Sequence, residues 1–167
     1  MKLKFKHQKF QADAAKAIVD VFNGQPYQSG MSYLIDKGKT DSKQQELGED
    51  FIGFKNAKIS LDDNRILNNI QTIQRNNLIK PSECLEGKYN LTVEMETGVG
   101  KTYTYIKTIF ELHKTYGWSK FIVIVPSIAI REGVYKSFQI TQDHFMEEYG
   151  EKIRFFIYNS AHLNQID

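Results

Sequence analysis

Two helical patterns in the first half of the chain are separated by a polar stretch. Between residues 7 and 22, apolar side chains recur three or four positions apart, at Phe10, Ala14, Ile18 and Val21. This spacing predicts an amphipathic helix. Residues 63–78 repeat the pattern with Ile66, Ile70 and Ile73 and predict a second helix. We interpret residues 25–60 as a polar insert without packed structure over most of residues 25–50, followed by a short strand or hairpin within 51–61.

The second half alternates between strand-like and helix-like patterns. YNLTVEM (89–95) alternates apolar and polar residues, and FIVIVP (121–126) is a continuous apolar run, which is typical of a strand buried on both faces. Helical spacing over residues 101–116 separates them, Ser127 can cap a further helix, and 153–158 offers a third strand. The resulting order predicts an α/β fold, with a parallel sheet flanked by helices.

Composition narrows the class of protein but does not identify its ligands. The chain has 167 residues, of which 41% are apolar, so it is long enough for a single domain with a core. Lys and Arg total 22 against 20 Asp and Glu, so any nucleic-acid contact must be local. Cys84 has no partner for an intrachain disulfide, and no apolar segment suits a secretory signal or a membrane span. We expect a cytoplasmic protein that does not enter a membrane.

The segment METGVGKT (95–102) gives the clearest indication of a binding site in this sequence. It matches the phosphate-binding template G-x-x-x-x-G-K-[ST], except that Met95 replaces the first glycine. Glycines let backbone N–H groups approach a phosphate, a lysine neutralises its charge and a hydroxyl binds Mg²⁺. We therefore expect the nucleotide to contact Thr97, Gly98, Val99, Gly100, Lys101 and Thr102. Lys101 and Thr102 are the candidate catalytic residues, and Thr102 is the candidate ligand of Mg²⁺.

A loop of the form xETGxGKT resembles motif I of the superfamily 2 helicases and translocases. The resemblance implies a partial RecA-like P-loop domain that binds ATP, and a glutamine upstream that contacts adenine within an aromatic-Gln-x-x-Ala pattern. Residues 10–14 fit that pattern and make Gln11 the candidate. An amide suits the role because it can donate and accept hydrogen bonds at once.

Motif Ia of the same superfamily follows the second strand, where this chain has VPSIAIREGV (125–134). The resemblance implies contact with the DNA backbone at the start of the following helix. Helix N-termini, hydroxyls and arginines are suitable phosphate donors. The candidate DNA-binding residues are therefore Pro126, Ser127 and Arg131.

The closer similarity is to the Res subunit of type III restriction-modification enzymes. It is densest over residues 90–138 and includes ILNNIQTIQRNN (66–77). The resemblance implies an ATP-dependent translocase and endonuclease acting on double-stranded DNA with a methyltransferase (Mod) subunit. Residues 1–167 would then be the N-terminal part of the first RecA-like helicase ATPase domain.

The acidic pair that such motors use to hold Mg²⁺ and orient water is not found after Lys101. Glu147 and Glu148 follow no strand, and we interpret them as a solvated helical face. The acidic motif and the nuclease residues are expected beyond Asp167, so the chain alone should bind nucleotide without hydrolysing ATP or cutting DNA. The four histidines lack the spacing of a zinc site.

Three alternatives remain open at this point. Another superfamily 2 DNA motor, from type I restriction or repair, would share the loop and the glutamine. A P-loop kinase or small nucleotide switch would need an acidic residue on a neighbouring strand, which this sequence does not show. A stand-alone nucleotide-binding module is the third. Target sequence, translocation polarity and oligomeric state are not determined by these residues.

Overall fold

A computed structural model of the protein describes residues 5–34 and 52–158. Four helices occur in these segments: α1 (Lys9–Val21), α2 (Asp63–Asn76), α3 (Lys101–Tyr116) and α4 (Ile128–Tyr149). Two short strands, β1 (Met31–Leu34) and β2 (Ile52–Lys55), form an antiparallel pair in which Met31 lies opposite Lys55. The helices predicted from the apolar spacing are all present. None of the described helices is long and apolar enough to cross a membrane.

The predicted α/β fold, a partial RecA-like domain with a parallel sheet, is wrong for the described residues. Their only sheet is the antiparallel pair β1–β2. The predicted strands at 89–95, 121–126 and 153–158 have no strand structure and share no backbone hydrogen bonds with one another. Ile122 and Ile124 are 90% and 89% exposed, although the apolar run predicted burial on both faces. A strand exists only through hydrogen bonds to a neighbouring strand, and apolar periodicity alone cannot supply that neighbour.

The side-chain amide of Gln25 joins the two ends of the predicted polar insert, residues 25–60. Gln25 is buried; its amide nitrogen donates to the Lys58 carbonyl oxygen, and its amide oxygen accepts from the backbone N–H and the hydroxyl of Ser60. Strand β1 takes up four residues of the span 25–50, and β2 lies within 51–61, where a short strand or hairpin was predicted. Residues 35–51 lie outside the described part of the chain.

Helix α3 contributes to two separate apolar clusters. The first joins α1, α2, the C-terminal end of α3 and residues on either side of them: Val21, Phe22, Ala57, Ile66, Leu112, Tyr116 and Trp118. The second joins α3 to α4 through Ile106, Phe110, Phe138 and Phe145. Burial of side chains on both sides therefore fixes the position of α3, and with it the loop that leads into its first residue.

The C-terminal end of α3 is tied to α1 by a hydrogen bond and is capped by a glycine. The Tyr116 hydroxyl donates to the Val19 carbonyl oxygen over 2.8 Å and ties α3 to α1. Gly117 ends the helix in the left-handed region with φ 77°, where glycine is the favoured residue. A Cβ at that position would lie 2.3 Å from the Gln28 carbonyl oxygen, so the close approach also requires glycine.

Candidate functional site

The loop before α3 contains two glycines in left-handed backbone conformations. Gly98 and Gly100 have φ 83° and 87°, both in the left-handed region, where an L side chain would be strained. Gly100 is the N-cap residue of α3, and no side chain accepts from the first-turn N–H groups. The start of α3 therefore presents backbone donors and the positive end of the helix dipole to the loop.

Lys101 folds back over its own loop. Its ammonium nitrogen donates to the carbonyl oxygens of Met95 and Glu96, each over 2.8 Å. Met95 occupies the place of the first template glycine, and it contributes only its backbone carbonyl to this contact. The lysine thus connects the end of the loop to its first two residues in the conformation seen here.

Gln11 reaches the same loop from α1. Its side chain is buried, with 8% of the residue exposed, and its amide nitrogen donates to the Val99 carbonyl oxygen over 2.8 Å. A Cβ at Gly100 would lie 2.6 Å from that nitrogen, so the amide packs directly against the loop backbone. The structure therefore brings together the glutamine and the loop, which the sequence separates by 88 positions.

Thr102 lies in the first turn of α3 and is half-buried. The described residues contain no group of three or more His, Cys, Asp or Glu side chains that could hold a metal ion. A single hydroxyl fits Mg²⁺ bound together with nucleotide, because this ion takes oxygen ligands and usually keeps several of its waters and bound phosphates. Thr97 is exposed on the turn before Gly98.

The start of α4 brings the three predicted DNA-binding residues together. Pro126 precedes the N-cap residue Ser127, whose hydroxyl accepts from the Ile130 N–H over 3.3 Å. The Arg131 guanidinium donates to the Glu132 carboxylate over 2.9 and 3.2 Å. The serine hydroxyl and the arginine charge are therefore already partly engaged by neighbouring residues. Ile128 is 70% exposed beside them.

An aromatic cluster next to the loop was not predicted from the sequence. The Tyr103 hydroxyl lies 2.8 Å from Nε2 of His144 on α4, and the Phe5 ring stacks on Tyr103 with centroids 5.8 Å apart. Burial raises the pKa of Tyr103 to about 12 and lowers the pKa of His144. Tyr103 could have been considered from its place next to Thr102, but no sequence signal links it to His144, 41 positions away.

A charged network joins the middle of α3 to the end of α4. The Lys107 side chain is 8% exposed and pairs with Glu148, while the Tyr149 hydroxyl donates to Glu111 over 2.6 Å. Burial, followed by the hydrogen bond to Glu111, raises the pKa of Tyr149. Glu147 and Glu148 are both exposed, as the interpretation of a solvated helical face requires, but the Glu148 carboxylate is also the partner of the buried lysine.

Comparison with known proteins places these features in one family. The family model described as type III restriction enzyme, res subunit, matches residues 5–163. The chain is 38% identical over 109 residues to the EcoP15I Res subunit of Escherichia coli and 36% identical over 112 residues to the EcoPI Res subunit of Escherichia phage P1. Each of these alignments covers 63% of this chain and 11% of the relative.

A third relative is the StyLTI Res subunit of Salmonella typhimurium, which is 45% identical over 76 residues. That alignment covers 46% of this chain and 7% of the relative. The chain therefore spans only about a tenth of the length of the curated relatives it matches.

Proposed function

The chain belongs to the Res-subunit family of type III restriction enzymes, and from that premise we propose that it binds ATP and Mg²⁺ through the loop 95–102 within a DNA-translocating endonuclease subunit. The observation that supports this most directly is the convergence of Gln11 and Lys101 on one loop that ends in an uncapped helix. An adenine donor, a phosphate cation and backbone donors without a side-chain cap would then meet at this loop.

The phosphates would be held by the first turn of α3. Gly98 has no atom within 4 Å of its virtual Cβ, which leaves open space beside the loop backbone. Lys101 would exchange the carbonyl oxygens of Met95 and Glu96 for phosphate oxygens, which are the stronger acceptors because they are charged. Thr102 would give its hydroxyl oxygen to Mg²⁺. Bound Mg²⁺ neutralises phosphate charge, and ATP hydrolysis supplies the free energy for movement along DNA.

Gln11 would recognise the base with the part of its amide that the loop does not use. One N–H is engaged by the Val99 carbonyl, which leaves the second N–H and the amide oxygen for an adenine edge. Because the same amide supports the loop, loss of Gln11 should affect both base selectivity and affinity for the phosphates.

The proposed partners are double-stranded DNA and a methyltransferase (Mod) subunit, in the cytoplasm where cellular DNA is encountered. Pro126, Ser127 and Arg131 would contact the DNA backbone at the start of α4, where Arg131 would have to leave Glu132 or share its charge with it. Residues 1–167 would form the N-terminal part of the subunit's ATPase region, including the insert 25–60. Cleavage and translocation belong to the proposal for a longer protein, because the chain spans so little of its relatives.

Titration of the 167-residue chain with a fluorescent ATP analogue and Mg²⁺ tests nucleotide binding. Lys101→Ala should weaken binding by about 10- to 100-fold, because a charge-assisted contact to phosphate is removed. Lys136→Ala, which removes an exposed lysine of α4, is the matched control and should bind normally. Equal binding by the Lys101→Ala and unsubstituted chains would contradict the proposal.

The same chain should bind ATP without turning it over, since the water-orienting carboxylate of such motors has not been found in it. Gln11→Ala should reduce the preference for ATP over GTP in parallel titrations. ATP turnover by the purified chain that Lys101→Ala abolishes would show that a complete catalytic site is present, and would overturn this part of the proposal.

A further inference from the structure

The Tyr105 hydroxyl is a buried polar group that has no role in the proposed nucleotide site. Its oxygen is inaccessible to solvent and has no hydrogen-bond partner among the described residues. The ring packs against the cluster formed by Ile106, Phe110, Phe138 and Phe145. A phenylalanine would supply the same packing without a buried hydroxyl, and buried hydroxyls without partners are destabilising. The hydroxyl therefore lacks, in the conformation seen here, the hydrogen-bond partner that a buried hydroxyl needs.

Thr102 is in position to become that partner. It precedes Tyr105 by three positions on α3, so both side chains lie on one face of the helix, and long helical side chains lean toward the preceding turn. The Tyr105 hydroxyl makes no hydrogen bond to Thr102 or to any other described residue in this conformation.

The chemistry of a threonine ligand explains why a second hydroxyl is useful there. A threonine oxygen has two lone pairs and one proton. When one lone pair faces a cation, the proton must point away from it and needs an acceptor. A phenol oxygen three positions along the helix can accept this proton.

Resting on the proposed nucleotide site, we propose that Tyr105 is a positioning residue whose phenol oxygen accepts the Thr102 hydroxyl proton and so directs the Thr102 oxygen toward Mg²⁺. Tyr105 itself touches neither the nucleotide nor the cation. Its role is to select one rotamer of the hydroxyl that does. The neighbouring Tyr103 has no such role, because its hydroxyl is already engaged with His144.

The test measures how much Mg²⁺ tightens binding of the fluorescent ATP analogue, by titration with Mg²⁺ and again with EDTA. Tyr105→Phe should reduce the Mg²⁺-dependent gain by about tenfold, the effect of one oriented hydrogen bond, and leave binding in EDTA unchanged. Tyr103→Phe, the matched control two positions away, should keep the full gain. In a Thr102→Ala background, Tyr105→Phe should have no further effect on the gain.

Thermal unfolding without nucleotide separates this role from a packing defect. Tyr105→Phe should unfold at the same temperature as the unsubstituted chain or higher, because it removes a buried hydroxyl without a partner. An unchanged Mg²⁺ gain in Tyr105→Phe, or an equal loss in Tyr103→Phe, would overturn the inference alone. Absence of nucleotide binding by the unsubstituted chain would overturn the proposed function as well.

Discussion

Helices α3 and α4 differ in how the backbone N–H groups of their first turns are capped. At α3 the N-cap residue is Gly100, in the left-handed region and without a side chain to accept from the first turn. At α4 the N-cap residue is Ser127, in an extended conformation, and its hydroxyl accepts from the Ile130 N–H. A side-chain cap accepts hydrogen bonds from the first-turn N–H groups. In a helix without such a cap, these donors stay available to a bound anion.

The cations beside the two helix starts differ in the same way. Lys101 is held by two neutral carbonyls of its own loop, whereas Arg131 is paired with the carboxylate of Glu132. Neutral acceptors compete with a phosphate less effectively than a carboxylate does. This comparison supports the proposal that the start of α3 holds the nucleotide phosphates tightly, whereas the start of α4 makes weaker, exchangeable phosphate contacts.

The largest expected effect comes from placing a side chain at the uncapped start. Gly100→Ala would put a Cβ 2.6 Å from the Gln11 amide nitrogen, at a φ of 87°. Because both strain the loop, we expect nucleotide affinity to fall by about 100-fold in the fluorescent titration.

Gly133→Ala is the matched glycine control. Gly133 lies inside α4, with no atom within 4 Å of its virtual Cβ. Alanine there should stabilise the chain by about 0.5–1 kcal/mol in thermal unfolding and leave nucleotide binding unchanged. Near-normal binding by Gly100→Ala would remove the distinction between the two helix starts.

An intermediate effect is expected from the cap of α4. Ser127→Ala should destabilise the chain by about 1 kcal/mol, because the Ile130 N–H loses its acceptor. The melting temperature should fall by about 2–4 °C. Ser127→Asp should keep the cap and the stability but weaken binding to a short DNA duplex, because its charge repels phosphate. Unaltered duplex binding by Ser127→Asp would show that DNA does not approach this helix start.

The smallest effect on stability should come from Arg131, whose ion pair is exposed. Arg131→Ala should change the free energy of unfolding by less than about 0.5 kcal/mol. It should nevertheless reduce the slope of log affinity against log salt by about one for a DNA duplex, measured by fluorescence anisotropy. Glu132→Ala frees the guanidinium and should strengthen duplex binding. A salt slope that stays the same in Arg131→Ala would exclude this arginine as a phosphate contact.

Helices were predictable to within a few residues, whereas the three strands of the predicted parallel sheet were not. The pattern over 101–116 predicts α3 with the bounds observed, and Ser127 predicts the start of α4, since helical hydrogen bonds join residues four apart. The apolar run 121–126 equally predicts a buried strand, yet Ile122 and Ile124 are exposed and lack a ladder. A pattern records which side chains suit a sheet, but the hydrogen bonds of a sheet come from distant segments.

The candidate site shows the same difference between features predicted by local sequence and contacts between distant segments. The sequence by itself determined the family, and it predicted the loop 95–102 and the glutamine pattern as site residues, because each motif is carried by residues close together in the chain. Only the tertiary structure decided that Gln11 supports Val99, that Tyr103 meets His144 and that Glu148 pairs with buried Lys107. These contacts span 88, 41 and 41 positions. They depend on how α1 and α4 pack against α3, which is set by burial of apolar side chains over the whole fold and not by any local spacing.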